Sequence, residues 1–161
     1  MSEEITGWFA GRLPDGWFVE PPEVIVDREE ITVIGTIPPV EDAAVVGRVK
    51  RFREETREQR MAIADEAELR FGRKVAWGVR AGDDRYLFSH LAVPVMTRLR
   101  QNERTVLDTL IDAGVARSRS EALSWCVRLV HEHQGAWIDE LRDALKHVEE
   151  VRGRGPESPS S

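Results

Sequence analysis

Apolar and polar residues alternate along residues 21–39, PPEVIVDREEITVIGTIPP, on both sides of a polar tetrad at 27–30. A period of two is typical of a strand with one buried face, and two such runs joined by four polar residues predict a hairpin. Proline pairs at 21–22 and 38–39 mark its two ends. The pattern therefore predicts two antiparallel strands.

The period changes to three and four from about Glu41 to Phe71, which predicts a helix, and Gly72 follows as a stop signal. The middle of this segment, RFREETREQR, is almost wholly polar, so we expect much of it to face water. Two further strands are predicted in KVAWGVRAGDDRYLFSH, around a turn at 81–84. Residues 1–90 thus form a predicted ββαββ unit.

The remaining chain indicates a strand followed by two helices. Residues 91–99, LAVPVMTRL, resemble a short strand, and 102–114 carry apolar residues on one helical face before a terminal glycine. From Ser118 to about Arg152 a long helical pattern has apolar spacing close to a heptad, weakened at its Gly135. We expect an α+β protein with domains 1–90 and 91–152 and a disordered tail at 153–161.

Composition narrows the class of protein. With 41% hydrophobic and 32% charged residues the chain is typical of globular proteins, and no run approaches the roughly 18 apolar residues of a membrane span. The first residues are acidic and interrupted by glycine and proline, unlike a signal peptide. A lone cysteine, Cys126, excludes an internal disulfide and fits a reducing compartment. We therefore expect a cytoplasmic protein without a membrane partner.

The charge distribution limits where a nucleic acid could bind. The net charge of −6 repels phosphates on average and argues against indiscriminate binding. Residues 1–90 carry 13 basic against 18 acidic side chains, whereas 91–133 carry six against five. Residues 91–133 are therefore the less unfavourable place for a nucleic-acid surface.

The order of strand, helix, tight loop and helix in residues 93–130 resembles the ribbon-helix-helix family of DNA-binding proteins, of the Arc and MetJ repressor type. The resemblance lies in VPVMTRLRQNERTVLDTLIDAGVARSRSEALSWCVRLV, about 40 of the 161 residues. Its most specific part is SRSEAL following LDTLIDAG. In that family two chains pair their strands into one antiparallel ribbon, and one face of the ribbon enters the major groove of DNA.

The resemblance implies a homodimer in which Pro94, Met96 and Arg98 face outward as the base-reading positions, because side chains alternate across a strand. Arginine can donate to both guanine acceptors of the major groove. Pro94 and Met96 are apolar where the family usually has polar readers, and can meet only thymine methyl groups. The positions expected to face the core are Val93, Val95, Thr97 and Leu99.

The second helix of this module is expected to begin with a capping box formed by Ser118 and Glu121. Helix capping alone explains both residues. A helix start also presents free N–H groups and the positive end of the helix dipole, which favour a phosphate. Arg117 and Arg119 add charge that capping does not need. We therefore predict a phosphate site at Arg117, Ser118, Arg119 and Ser120.

Other residues indicate no catalytic, cofactor or metal site. His131 and His133 lie two apart on a predicted helix and point to different faces, so they cannot bind one metal together. Nothing in the sequence gives Cys126 a histidine partner, so this cysteine is expected in the core. We expect no enzyme, no cofactor and no metal. Basic residues between 48 and 60 alternate with glutamates, and most are expected to form ion pairs on a solvated face. The first four, at positions 48, 50, 51 and 53, precede the glutamates and are a secondary candidate for contacts to a nucleic-acid backbone.

The leading hypothesis is a homodimeric transcriptional regulator that binds double-stranded DNA, with residues 1–90 as an accessory domain that could bind a protein partner. One alternative is a protein-interaction module that uses the strand-helix-helix fold only to dimerise, favoured by Pro94 and Met96. Another is RNA or ribosome association through the ββαββ unit, by exposed Trp or Phe side chains stacking on unpaired bases. The aromatic pairs 8–9 and 17–18 are expected to cover the β unit.

Overall fold

The computed structural model describes residues 1–156, which fall into two compact units. The first unit is Met1–Val95 and the second begins at Met96. Each is described by itself. A four-stranded sheet and helices in the first unit, and helices alone in the second, confirm the predicted α+β class.

The first unit contains three α-helices and four strands. In chain order they are α1 (Ser2–Arg12), β1 (Glu23–Val26), β2 (Glu30–Thr36), α2 (Val45–Glu55), α3 (Arg57–Phe71), β3 (Lys74–Ala81) and β4 (Asp84–Leu87), with a 3₁₀ turn at Asp42–Ala44. The sheet order is β1-β2-β3-β4; β2 and β3 are parallel and the two outer pairs are antiparallel. The predicted ββαββ order is confirmed, and the helical segment forms the crossover between the parallel strands.

The core of the first unit packs alternate residues of the sheet against side chains of the helices. Ile31 and Val33 of β2 are fully buried, as is Val79 of β3, as the period of two predicts. Aromatic rings meet edge to face around Trp77, with Phe9 and Trp17 each 6.2 Å away between ring centroids. The aromatic pairs 8–9 and 17–18 therefore belong to the core of this unit, as expected.

Two features of the first unit differ from the sequence analysis. Helix α1 was not predicted, because its core contacts come mainly from one pair, Ile5 and Phe9, and its hydrophobic periodicity is weak. The single helix predicted from Glu41 to Phe71 is two helices that meet at Thr56. The expectation that much of its polar middle faces water is confirmed, since residues 51, 53–55 and 57–59 are exposed, but Thr56 and Arg60 are each only 6% exposed.

The second unit consists of α4 (Gln101–Asp112) and α5 (Arg119–Arg154). Gly114 follows α4 with a φ of 78°, the left-handed conformation that its position predicted. Helix α5 is kinked at Gln134, where φ is −122° and ψ is 16°, next to the predicted weak point. The predicted disordered tail is wrong for residues 153 and 154, which are helical, and its residues 157–161 lie outside the described part.

The predicted strand at 93–99 has no regular secondary structure within this chain. It does not extend the sheet, whose four strands end with β4. The expectation that alternate residues face the core holds only for Leu99, which is half-buried, because Val93 is 43% and Val95 85% exposed. A strand requires a backbone partner, and this segment has none among residues 1–156.

Candidate nucleic-acid interface

The start of α5 has the predicted Ser118 cap, whereas the second hydrogen bond of the predicted capping box is displaced by one residue, from the Ser118 amide to that of Arg117. The Ser118 hydroxyl accepts a hydrogen bond from the Glu121 amide at 3.1 Å. The Glu121 carboxylate reaches back and accepts from the Arg117 amide at 2.8 Å. Helix geometry leaves the amides of Arg119 and Ser120 without an intrahelical acceptor. Two backbone donors at this helix start thus remain available to a ligand oxygen.

The Arg119 side chain is bound by a carboxylate of α4. Its Nε and Nη2 donate to the two oxygens of Asp108 at 2.9 and 3.0 Å, a bidentate ion pair. This hydrogen bond and the opposite charge hold the pKa of Asp108 below its ordinary value and raise the pKa of Arg119. The side chain predicted as an extra phosphate ligand therefore ties the two helices together. Nothing in the sequence pointed to Asp108, because the two residues lie 11 positions apart.

Seven arginines of the second unit are exposed and form no ion pair within residues 1–156: Arg98, Arg100, Arg104, Arg117, Arg128, Arg152 and Arg154. Of these, Arg98 and Arg117 are the predicted base reader and phosphate ligand. Arg104 donates to the Leu99 carbonyl at 2.6 Å, which ties the end of segment 93–99 to α4. The guanidinium groups of Arg98 and Arg117, the two side chains on which the predicted interface depends, are thus not neutralised by a carboxylate.

The predicted base-reading residues are all exposed, and Met96 is 94% exposed. Pro94 precedes the boundary between the two units, whereas Met96 and Arg98 follow it. Their neighbours Val93 and Val95 are exposed as well, so one chain alone does not distinguish a reading face from a core face.

The core of the second unit is small. Its buried residues among those described are Leu107, Ala116 and Ala122, and the predicted core residue Cys126 is half-buried against them. Along α5 an apolar row with steps of three and four remains between 45% and 63% exposed. It consists of Val127, Val130, Trp137, Leu141, Val148 and Val151. Gln134 and Ala144 occupy the intervening positions of the repeat, so the row follows a heptad seam.

The predicted stacking surface for RNA has no counterpart in the first unit. Among residues 1–95 every Trp, Phe and Tyr is buried or half-buried.

The ion pairs expected in the basic segment form for Lys50 and Arg51, each 3.8 Å from a glutamate one turn later. They do not form for the arginines that follow. Within residues 1–156, no three His, Cys, Asp or Glu side chains gather in a geometry that could hold a metal, and no helix is both long and apolar enough to cross a membrane.

Fold and site together define a two-unit α+β protein whose second unit is a capped helix pair with an uncovered apolar face. Two families match the chain. The first, described as Rv1265-like protein, N-terminal domain, matches residues 3–87, and the second, described as Mb1296 C-terminal domain, matches residues 100–152. The chain belongs to the Rv1265-like family.

Relatives from mycobacteria match both units. The chain is 60% identical over 159 residues to proteins described as uncharacterized, Mb1296 of Mycobacterium bovis and Rv1265 of Mycobacterium tuberculosis H37Rv. The match spans 95% of this chain and 70% of each relative. No solved structure matched. None of these descriptions names a ribbon-helix-helix protein.

Proposed function

We propose that this chain is a homodimeric, non-enzymatic DNA-binding protein of the cytoplasm that regulates transcription, with its second unit on the DNA. The incomplete core of that unit carries the proposal. Only three of its described residues are buried, while a row of large apolar side chains is about half-exposed. Each apolar Å² covered contributes about 25 cal/mol, so a self-complementary partner is strongly favoured.

A second copy of the chain would supply the backbone partner that residues 93–99 lack. Residues 93–99 have unpaired backbone groups and exposed valines, and pairing with the same segment of a partner satisfies both. Two-fold pairing of identical edges is the usual way in which a homodimer closes. The heptad seam of α5 offers a further surface of the same kind.

The DNA contacts follow from the free cations of the unit. Arg98 on the ribbon reads a base in the major groove, and Arg117 with the amides of Arg119 and Ser120 binds a backbone phosphate. Asp108 acts on this contact indirectly, because it draws Arg119 toward α4 and holds the helix start in place.

Fluorescence anisotropy of a labelled duplex at graded salt tests DNA binding. Each neutralised phosphate contributes about 0.9 to the slope of log affinity against log salt, so Arg117→Ala in both protomers should flatten the slope by about 1.8. The control, Arg128→Ala, removes an exposed arginine about 13 Å further along α5 and should leave the slope nearly unchanged. Absence of duplex affinity even at low salt would refute DNA binding.

Sedimentation equilibrium tests the dimer. Val95→Asp places a charge in the proposed ribbon and should shift the protein toward monomer. Val46→Asp makes the same change at an exposed position of α2, 72% exposed, and should leave the dimer intact. Equal dimer affinity for the two variants would contradict ribbon pairing.

A second candidate function is a protein-interaction module that dimerises through the same unit without binding DNA. The exposure of two apolar residues, Pro94 and Met96, at the reading positions favours it. The two functions separate in the same experiments: an interaction module forms the Val95-dependent dimer but shows no duplex affinity at any salt concentration.

A further inference from the structure

A cavity of about 430 Å³ lies in the first unit, lined by α2, α3, β3 and the residues that follow β4. Its wall includes four cations, Lys50, Arg53, Arg57 and Arg60, together with the aromatic side chains of Trp77 and Phe88. We call it the arginine cavity. The proposed DNA contacts lie in the second unit, so none of them uses this cavity.

The positive charge of the arginine cavity is largely uncompensated. Its one carboxylate, Glu54, pairs with Lys50 at 3.8 Å. Arg53, Arg57 and Arg60 form no ion pair within residues 1–156. Elsewhere in this acidic unit most cations that form ion pairs do so at closer range, for example Arg12 with Glu66 at 2.7 Å. The arginine cavity thus gathers three arginines that have no carboxylate partner among the described residues.

Arg60 makes the charge imbalance energetically significant, because it is only 6% exposed. Its Nε donates to the Thr56 hydroxyl at 2.9 Å and its Nη2 to the Arg53 carbonyl at 2.6 Å, so it is held in place by neutral acceptors alone. Burial, followed by repulsion from Arg53 and Arg57, lowers the pKa of Arg60. A buried charge without a counter-ion is unfavourable, and a bound anion would relieve it.

A second, independent observation concerns Trp77, which is 4% exposed and also lines the cavity. Its indole Nε1 is buried and has no acceptor among the described residues. Buried indole N–H groups usually have a hydrogen-bond partner, so an orphaned one marks a place where an acceptor is absent.

The Phe88 ring orients two of the lining arginines, Arg53 and Arg60. The guanidinium carbons of Arg53 and Arg60 lie 5.4 and 5.0 Å from its ring centroid, and Arg53 also donates to its carbonyl at 3.2 Å. Both guanidinium groups are thus oriented before any ligand arrives, which lowers the entropy lost on binding.

We propose that the arginine cavity binds a small organic anion with a phosphate or carboxylate group and a compact apolar body. The anionic group binds Arg53, Arg57 and Arg60, because guanidinium groups match the geometry of both oxyanions. The apolar body packs on Trp77 and Phe88. The volume of the arginine cavity falls within the range of roughly 300–1,000 Å³ that is usual for small-molecule sites.

NMR of the full ¹⁵N-labelled chain tests the proposal through the indole signal of Trp77, assigned with Trp77→Phe. The probes are phenyl phosphate, benzoate, inorganic phosphate, benzyl alcohol and a short single-stranded oligonucleotide. We expect a saturable shift of this signal with phenyl phosphate or benzoate, with an affinity at least about tenfold higher than for inorganic phosphate or benzyl alcohol. Saturation by one aromatic anion alone identifies whether phosphate or carboxylate is preferred.

The variants test whether the arginines carry the binding. Arg57→Ala removes an exposed lining cation and should weaken binding at least about tenfold. Arg28→Ala removes the same charge from an exposed turn outside the cavity and should leave binding unchanged. The proposal is overturned by no saturable shift at about 10 mM of either aromatic anion, by equal affinity for inorganic phosphate, by preference for the oligonucleotide, or by equal effects of the two variants.

Discussion

Releasing Arg119 from Asp108 should increase the salt dependence of DNA binding. The two side chains form a bidentate pair at 2.9 and 3.0 Å, which holds the guanidinium against α4. Asp108→Asn keeps the size of the side chain and removes its charge. Because both side chains are about half-exposed, the pair contributes little to stability and the fold should persist.

The expected magnitude follows from counterion release. One additional phosphate contact per protomer makes the slope of log affinity against log salt steeper by about 1.8 for a dimer. Between about 50 and 200 mM salt this corresponds to an extra loss of affinity of about tenfold. The variant should therefore bind more tightly than the unmodified protein at low salt and lose that advantage as salt rises.

The assay is anisotropy of a labelled duplex over that salt range, with Asp112→Asn as the matched control. Asp112 lies at the end of the same helix and forms no ion pair among residues 1–156, so its substitution changes the overall charge without releasing an arginine. It should raise affinity slightly with little change in slope. Equal slopes for the two variants would show that Arg119, once released, does not reach a phosphate, and would refute its place in the interface.

Three further predictions concern stability. Gly35→Ala should lower the free energy of unfolding by about 1–3 kcal/mol, because a Cβ there would lie 2.2 Å from the Phe18 ring; urea denaturation measures it. Ser118→Ala should lower it by about 1 kcal/mol through loss of the helix cap, measured in the same way. The hydrogen bond and charge of Arg119 lower the pKa of Asp108, so the stabilisation from this pair is present above the ordinary value of 3.8 and is lost as pH falls through the depressed value. The thermal unfolding midpoint of the unmodified protein should exceed that of Asp108→Asn at neutral pH, and the two midpoints should converge as the pH falls.

Controls exist for these stability predictions. Gly47→Ala lies on α2 with no atom within 4 Å of the added Cβ and should stabilise the helix by about 0.5–1 kcal/mol. An unaltered stability of Gly35→Ala would contradict the close packing of Phe18. Ser118→Thr keeps a capping oxygen and should retain most of the stability that Ser118→Ala loses. If the difference in thermal midpoint between the unmodified protein and Asp108→Asn does not narrow in acid, the ion pair is not the source of that difference.

Elements with strong local signals could be predicted from the sequence. The alternation in residues 21–39 predicted β1 and β2, and the glycines after α3 and α4 both adopt positive φ, 68° at Gly72 and 78° at Gly114. Helix α1 was missed because a short helix with few core contacts leaves little periodicity. The break at Thr56 was missed because neither glycine nor proline marks it, and a threonine within a helical pattern carries no stop signal.

In the candidate sites, contacts between residues close in sequence could be predicted and contacts between distant residues could not. The cap at Ser118 depends on residues three positions apart, so the sequence predicted it. The Asp108–Arg119 pair joins different helices, and the partners of Arg60 include a ring 28 positions away, so neither was foreseeable from spacing. The strand at 93–99 was predicted from alternation, yet a strand also needs a neighbour, and residues 1–156 of this chain provide none.

Local periodicity and turn chemistry thus determined, from the sequence alone, that an α+β unit is followed by a helix pair with a capped second helix. Those properties arise from interactions between residues a few positions apart. Only the tertiary structure decided which charges are paired. It bound Arg119 to Asp108 and buried Arg60 without a carboxylate, because ion pairing and burial depend on where distant parts of the chain meet in space.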